Sequence, residues 1–426
     1  MDAQDHSPLL HDSDVRRYLG GQLVAEIGSR ITREGLPIVA IVAAGATAPQ
    51  LGILAALATL PMLLIGNLVG HWVDRSRRRP LLMGASLARA GVLIAIPVLF
   101  WVHRLGFWPI AAVTLLASAA GVLIAVARHA YLPALVSRQR IEEGNELAGT
   151  AGSVGETVGP GLMGVLIQWL GAPASILFDT VANILTALSV LQIRRVEPHP
   201  RPLAREAPGP LSWSGLSRVW SRVASHPILR PLLWNAGTSA FFGGFFSTLY
   251  ELYVLKTLHL SPFLLGLLIT LGGLGSLVGT RLYRRMRRRL GLGRLVWVTY
   301  VVGAMLNLAV PGAHGPIWVA FGFLFVGQFG GDLWATIFEI GTTTIQQAET
   351  PDHWLGRVHG TFRALGGGLE VAGALAAGPL ALWLGVRGAL WVAVAGLLLS
   401  GLWLIPRALR RVEGPPQSFW SGFDAG

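Results

Sequence analysis

Glu26, Arg30 and Glu34 recur at intervals of four, with Gln22 one turn earlier, so a helix carries them as one slowly drifting stripe. On such a helix the two carboxylates lie about 12 Å apart along the axis, with the guanidinium about 6 Å from each. Two acids around one base can take up and release a proton: burial raises a carboxylate pKa, a neighbouring guanidinium lowers it, and a movement of either tips the balance. The same triplet describes a static ion-pair triad equally well, and Arg33 lies beside it. A second polar face, Gln328, Asp332, Thr336, Glu339 and Thr343, repeats the helical spacing later in the chain.

The elements that position these charges are long and apolar. Over 426 residues the chain is 52% hydrophobic and 13% charged, with 54 glycines and no cysteine, which is not the composition of a soluble globular protein and excludes thiol chemistry and disulfides. Apolar runs of about 20 residues, enough to cross a bilayer core, fall at 17–43, 50–73, 80–102, 107–127, 144–168 and 174–193. A second set follows at 228–254, 262–283, 294–312, 316–345, 358–382 and 386–409. The expected fold is therefore an all-α membrane protein of twelve transmembrane helices in two six-helix bundles, 16–193 and 228–411. A proline-rich linker, 194–227, joins them, and tails 1–15 and 412–426 flank them. Within the linker, Leu216, Val219, Trp220 and Val223 share a helical face, as an interfacial helix would arrange them; a plain tether fits as well.

Charge then assigns sides. Of 34 Lys and Arg, only Arg104, Lys256 and Arg387 fall on the side opposite the termini and four fall inside predicted spans; the rest collect on the side of the termini. Both termini are accordingly expected in the cytoplasm, with the protein multi-pass in the plasma (inner) membrane. The net charge of +12 belongs to this topology and not to nucleic-acid binding. The acidic tail Met1–Val15 has no basic segment or cleavage site ahead of the first apolar run, so no cleaved signal peptide is expected.

The turn between the second and third runs, Gly70-His-Trp-Val-Asp74-Arg75-Ser-Arg77-Arg78-Arg79-Pro80, sets one acid among four arginines. Arginines suffice to mark topology, but topology does not call for Asp74. Moving the second half back by 214 residues superposes Trp383-Leu384-Gly385 on Trp169-Leu170-Gly171, Gly378 on Gly164, Gly373 on Gly159 and Glu370 on Glu156, the signature of duplicated halves. The turn near Gly279 keeps Arg284 and its basic run but has Tyr283 where the first half has Asp74.

With Tyr131-Leu132-Pro133 after span four, Gly155-x-x-x-Gly159-Pro160-x-x-x-Gly164 in span five, His226-Pro227-Ile-Leu-Arg230 before span seven and Leu355-Gly356-Arg357-Val358 before span eleven, the chain resembles the major facilitator superfamily. Within it, the chain looks like the bacterial drug and siderophore exporter branch. The resemblance implies that Gly70, Asp74, Arg75 and Arg78 belong to a cytoplasmic gate, and that Gly155, Gly159 and Pro160 belong to a motif associated with antiporters. It also implies that spans one, four, seven and ten line the cavity. That places Glu26, Arg30, Glu34, Asp332 and Glu339 inside it, together with Phe242, Phe245 and Tyr250 of span seven, although membrane phenylalanines also serve helix packing. Span four is read as free of internal charge. Arg89, Glu156, Asp179, Arg363 and Glu370 are expected as buried charge partners or gates.

The function these observations imply is a secondary active transporter, a proton-coupled antiporter exporting small hydrophobic or amphipathic molecules by alternating access as a monomer in the lipid bilayer. A lipid or lysolipid flippase, an uptake permease and a transport-inactive sensor or scaffold are the alternatives. No cofactor and no metal are called for. An enzyme is not expected, since the eleven histidines form no H-x-x-x-H pair and no serine elbow occurs.

Overall fold

The computed structural model describes residues 9–136, 140–195, 197 and 213–405. The tail 412–426 and the proline-rich stretch 198–212 lie outside them.

Among the described residues the chain is helical throughout, with no strand. Spans one and two are Ser13–Ala43 and Ala48–Arg75; span three is Arg78–Leu93 continued by Ala95–Trp101; spans four and five are Phe107–Leu135 and Ile141–Leu170; and span six is Leu177–Leu191 after a turn at Ala172–Ser175. Spans seven and eight are Leu229–Leu252, ending in a π-helical turn, and Pro262–Leu290. Span nine is Leu292–Leu306 with Ala309–Gly312; span ten is Ile317–Phe325 and Gly331–Ala348 around the π turn Val326–Gly330; and Asp352–Ser400 holds spans eleven and twelve. By length and composition, eight stretches are apolar enough to cross a membrane, the last one running through both final spans. Spans one, five and seven fall outside that set.

The repeat is visible in the backbone. Gly171 and Gly385 both take left-handed conformations, φ 84° and 74°, that end spans five and eleven. Only glycine adopts such angles without strain. The preceding tryptophans, Trp169 and Trp383, are about equally exposed at 82% and 80%, as ring side chains at a membrane interface would be.

Two compact units result, one comprising 1–46 and 57–203, the other 47–56 and 204–426. The core of the first gathers Val15, Tyr18, Val73, Leu82, Tyr131 and Val190. In the second, Val219 and Val223 of a linker helix, Trp213–Ser225, are buried among Leu229, Leu233, Val358 and Leu404. His226 follows that helix and caps span seven: its Nδ1 accepts from the backbone N–H groups of Ile228 and Leu229, both at 3.2 Å. The linker helix is therefore packed on the second unit through an apolar face.

Candidate functional site

The stripe of span one is built against span five. A Cβ on Gly155 would lie 2.7 Å from Glu26 Cβ, and one on Gly159 2.5 Å from Arg30 Cβ. The absence of those two side chains lets the turns carrying the charges approach span five at backbone distance, the small-residue packing of membrane helices. Pro160 is buried in the same contact, and span five runs through it unbroken.

Each charge then finds a partner within this unit. Glu26 pairs with Arg128 of span four. Arg30 pairs with Glu156 of span five and approaches Glu34 at 3.8 Å, while Arg33 Nε lies 3.6 Å from the same Glu34 oxygen. The side chains of Glu26, Arg30, Glu34 and Arg128 are about four-fifths buried, whereas Glu156 is 64% exposed. Charges at such depth are tolerated in a membrane helix when paired or facing a cavity.

Arg128 corrects the expectation that span four carries no internal charge. The helix continues to Leu135, past the end of the apolar run at 127. Glu26 supplies the counter-charge that lets it do so, and the Tyr18 hydroxyl donates to the Arg128 carbonyl at 3.0 Å. The available signal was the match of one unassigned acid on span one to one basic residue just beyond an apolar run.

Below this layer, Arg89 of span three donates to Asp179 of span six at 2.9 Å. Asn183 Nδ2 donates to the other Asp179 oxygen at 2.8 Å. Gly28 of span one and Gly121 of span four make room for this pair: a Cβ on either would sit 2.7 Å from Asp179 Oδ1 or 2.9 Å from Arg89 Nη1. Four helices thus meet on one ion pair, in which Arg89 Nε makes no hydrogen bond among the described residues, an arrangement suited to holding the bundle.

In the arginine turn, span two ends at Arg75 and span three begins at Arg78. The Glu197 carboxylate accepts from the backbone N–H groups of Arg78 and Arg79 at 2.8 and 3.1 Å, and Arg79 Nη2 donates to the Leu191 carbonyl at 2.8 Å. Glu197 was not singled out from the sequence, where it is an acid in a polar linker. Asp74 and Arg75 are exposed, Asp74 forms no ion pair among the described residues, and a Cβ on Gly70 would meet open space.

In the second unit, Asp332 follows the π turn of span ten and accepts from Gln328 Nε2 at 2.7 Å. Its carboxylate lies against span eight, where a Cβ on Gly272 would be 2.1 Å from Oδ2; Gly275 and Gly279 approach the carbonyls of Phe329 and Leu333 in the same way. Glu339 is exposed. Of the span-seven aromatics, Phe245 is 3% exposed, Phe242 faces Gly396 of span twelve, and the two rings lie 6.0 Å apart. The Tyr250 hydroxyl is buried with Asp332 and Glu251 as its charged neighbours. Spans seven and eleven approach through Gly244, whose Cβ would be 2.4 Å from the Glu370 carbonyl oxygen. Arg363 is exposed and forms no ion pair among the described residues. The structure therefore pairs the span-one charges with spans four and five, holds Arg89 and Asp179 in a separate ion pair, leaves Asp74 exposed, and distributes the second-unit charges among separate helix contacts and the surface.

Helices of membrane length and duplicated halves define a multi-pass membrane protein, and the family match and relatives that follow make it a transporter and not an enzyme. The family model of the Major Facilitator Superfamily matches residues 19–369, and the chain belongs to that family. It is 26% identical over 371 residues to an enterobactin exporter, EntS, of Citrobacter koseri, covering 83% of both chains. It is also 26% identical to the multidrug efflux pump Tap of Mycolicibacterium fortuitum, covering 84% of this chain and 87% of that one. Among solved structures, a bacterial homologue of the iron transporter ferroportin in the inward-facing state superposes with a TM-score of 0.73 at 17% identity, covering 93% of this chain and 98% of that one. At that identity the likeness shows the fold alone.

Proposed function

We propose that the chain is a proton-driven antiporter that exports small hydrophobic or amphipathic molecules, of the drug or siderophore kind, by alternating access. The observation that carries the coupling is that two carboxylates of span one, each four-fifths buried, are paired: Glu26 with Arg128 of span four, and Glu34 with Arg30 and the more exposed Arg33. Protonating Glu26 takes from Arg128 the counter-charge it faces, whereas Arg30 keeps Glu156 when Glu34 is protonated, and an uncompensated charge at depth is expensive. Proton uptake on Glu26 therefore favours a rearrangement of spans one and four, and that rearrangement is what a coupled carrier needs. The exporter relatives support the outward direction.

In the same reading, Asp74 with Arg75 and Arg78 gates the cytoplasmic side, and both termini lie in the cytoplasm, as the Lys and Arg bias requires. Asp74→Asn then impairs transport while leaving insertion unchanged.

The test is transport in oriented proteoliposomes with an imposed pH gradient, screening dyes, antibiotics, siderophores and lysolipids. Substrate efflux coupled to proton influx, abolished in Glu26→Gln or Glu34→Gln while binding persists, is the expected result. Efflux that survives collapse of the gradient would sink the coupling, and transport confined to lysolipid or to the inward direction would replace the exporter with a flippase or an uptake permease.

A further inference from the structure

In the last three turns of span eight, five of the six arginines lie on one side, with Arg287 outside that face, and apolar residues lie on the other. At 100° per residue, Arg281, Arg284, Arg285, Arg288 and Arg289 fall within an arc of about 140°. All five are exposed. The opposite face, Leu282, Tyr283, Met286 and Leu290, packs with Leu295 and Ile337 of spans nine and ten. That packing fixes the direction of the arginine face, which points away from spans nine and ten.

These arginines differ from four arginines of the first unit that have their own carboxylates, although Arg16 and Arg75 there are exposed and form no ion pair among the described residues. There, Arg17 faces Asp14, Arg78 faces Glu197, Arg140 faces Glu143 and Arg195 faces Asp12. On span eight no carboxylate lies within ion-pair distance of any of the five among the described residues. Topology alone asks for a number of positive charges and is indifferent to the face they occupy or to whether they are neutralised.

The run also stands at a defined depth. It continues directly from an apolar helix long enough to cross a membrane, Pro262–Leu290, and the helix ends at Gly291 with φ 72°. Long basic side chains at such an end reach the headgroup layer. From Arg281 to Arg288 the face extends about 10 Å, two turns. Guanidinium groups match phosphate through paired N–H donors.

We propose that this face is a docking surface for the phosphate headgroups of anionic phospholipids, held along span eight by Arg281, Arg284, Arg285 and Arg288. The bound lipid supplies the counter-charges that the protein provides for itself at Arg17, Arg78, Arg140 and Arg195. This requires only that the chain spans a membrane, and is independent of the proton-coupling reading.

Native mass spectrometry of the full chain, purified in detergent and titrated with phosphatidylglycerol or phosphatidylcholine, tests it. The wild type is expected to retain phosphatidylglycerol selectively, and raising salt from about 0.05 to about 0.5 M is expected to weaken that retention. Each arginine replaced by glutamine should cost about fivefold in affinity, and the four lysine replacements, which keep the charge and lose the paired donors, should fall between the wild type and the four-glutamine variant. Because the chain has no cysteine, a single Gly426→Cys reports insertion by labelling in vesicles, and the same labelled side in both variants separates lipid loss from misinsertion. Equal retention of the two lipids by the wild type, or unchanged phosphatidylglycerol retention in the four-glutamine variant, would overturn the proposal.

Discussion

Glu197 closes the N-terminus of span three from the far end of span six: its carboxylate accepts from the backbone of Arg78 at 2.8 Å and stands 3.9 Å from the same residue's guanidinium. A helix N-terminus leaves N–H groups without partners and carries a partial positive charge, so a carboxylate there is favoured twice. The residue that the arginine turn offers to Glu197 is one that the family resemblance places in the gate.

Removing that cap should destabilise the first unit selectively. Glu197→Ala is expected to cost about 1–3 kcal/mol, the loss of a charged cap and the exposure of two orphan N–H groups, and Glu197→Gln less, since one oxygen still accepts. Thermal unfolding of the purified protein, with hydrogen exchange of the Arg78 and Arg79 amides, reads it. Unchanged exchange at both amides would show that another group caps the helix.

The pairing of Glu26 with Arg128 makes a thermodynamic statement about two residues from different helices. Either Glu26→Gln or Arg128→Gln alone strands a charge that is four-fifths buried, whereas the double substitution strands none. A double-mutant cycle on unfolding free energy should show coupling of about 1–3 kcal/mol. Additive effects would mean that the two side chains do not depend on each other.

These two contacts mark the limit of what was legible in advance. The helices follow from the lengths of their apolar runs, because in a bilayer every backbone group must be satisfied within a helix. The duplicated halves follow from Trp169-Leu-Gly171 and its mate, whose glycines turned out to share a left-handed backbone. Pairing across helices is another matter. Arg128 and Glu197 each sit where an apolar run has ended, and from sequence an arginine there reads as topology and a glutamate as linker. What they do depends on Glu26 and on the Arg78 backbone, 102 and 119 residues away, and no spacing rule links such positions. Gly155 and Gly159 were legible as tight packing, but not as the residues that make room for Glu26 and Arg30.

Gly272 is a position where the usual sign of a substitution should reverse. Gly to Ala inside a helix ordinarily stabilises by up to about 1 kcal/mol. Here the new Cβ would lie 2.1 Å from Asp332 Oδ2 and 2.8 Å from Gln328 Nε2, so Gly272→Ala must displace a hydrogen-bonded pair and should instead destabilise by about 1–3 kcal/mol. Pairing it with Asp332→Ala removes the obstacle and should recover part of the loss. A Gly272→Ala protein melting at or above the wild type would place the Asp332 carboxylate elsewhere.

His226 and Glu349 should give stability opposite pH dependences that mask each other. Both side chains are buried, His226 Nε2 lies 3.9 Å from Glu349 Oε2, and His226 Nδ1 must stay unprotonated to cap span seven. Burial, reinforced by the charge of Arg222, pushes His226 down from 6.5 to about 4, and burial pushes Glu349 up from 4.5 to about 7. For His226 the unfolded chain binds the extra proton between those values, so its contribution is complete above pH 6.5 and is lost as pH falls to about 4. For Glu349 the folded chain binds it, so that contribution is complete below pH 4.5 and is lost as pH rises to about 7. With both present, the slopes oppose each other between about pH 4.5 and 6.5, and the melting temperature should change little there. Glu349→Gln leaves the histidine alone, and its melting temperature should fall on acidification across that window. His226→Asn leaves the carboxylate, and its melting temperature should fall as pH rises instead. Parallel pH profiles for the two variants would show that the pair does not titrate in these directions.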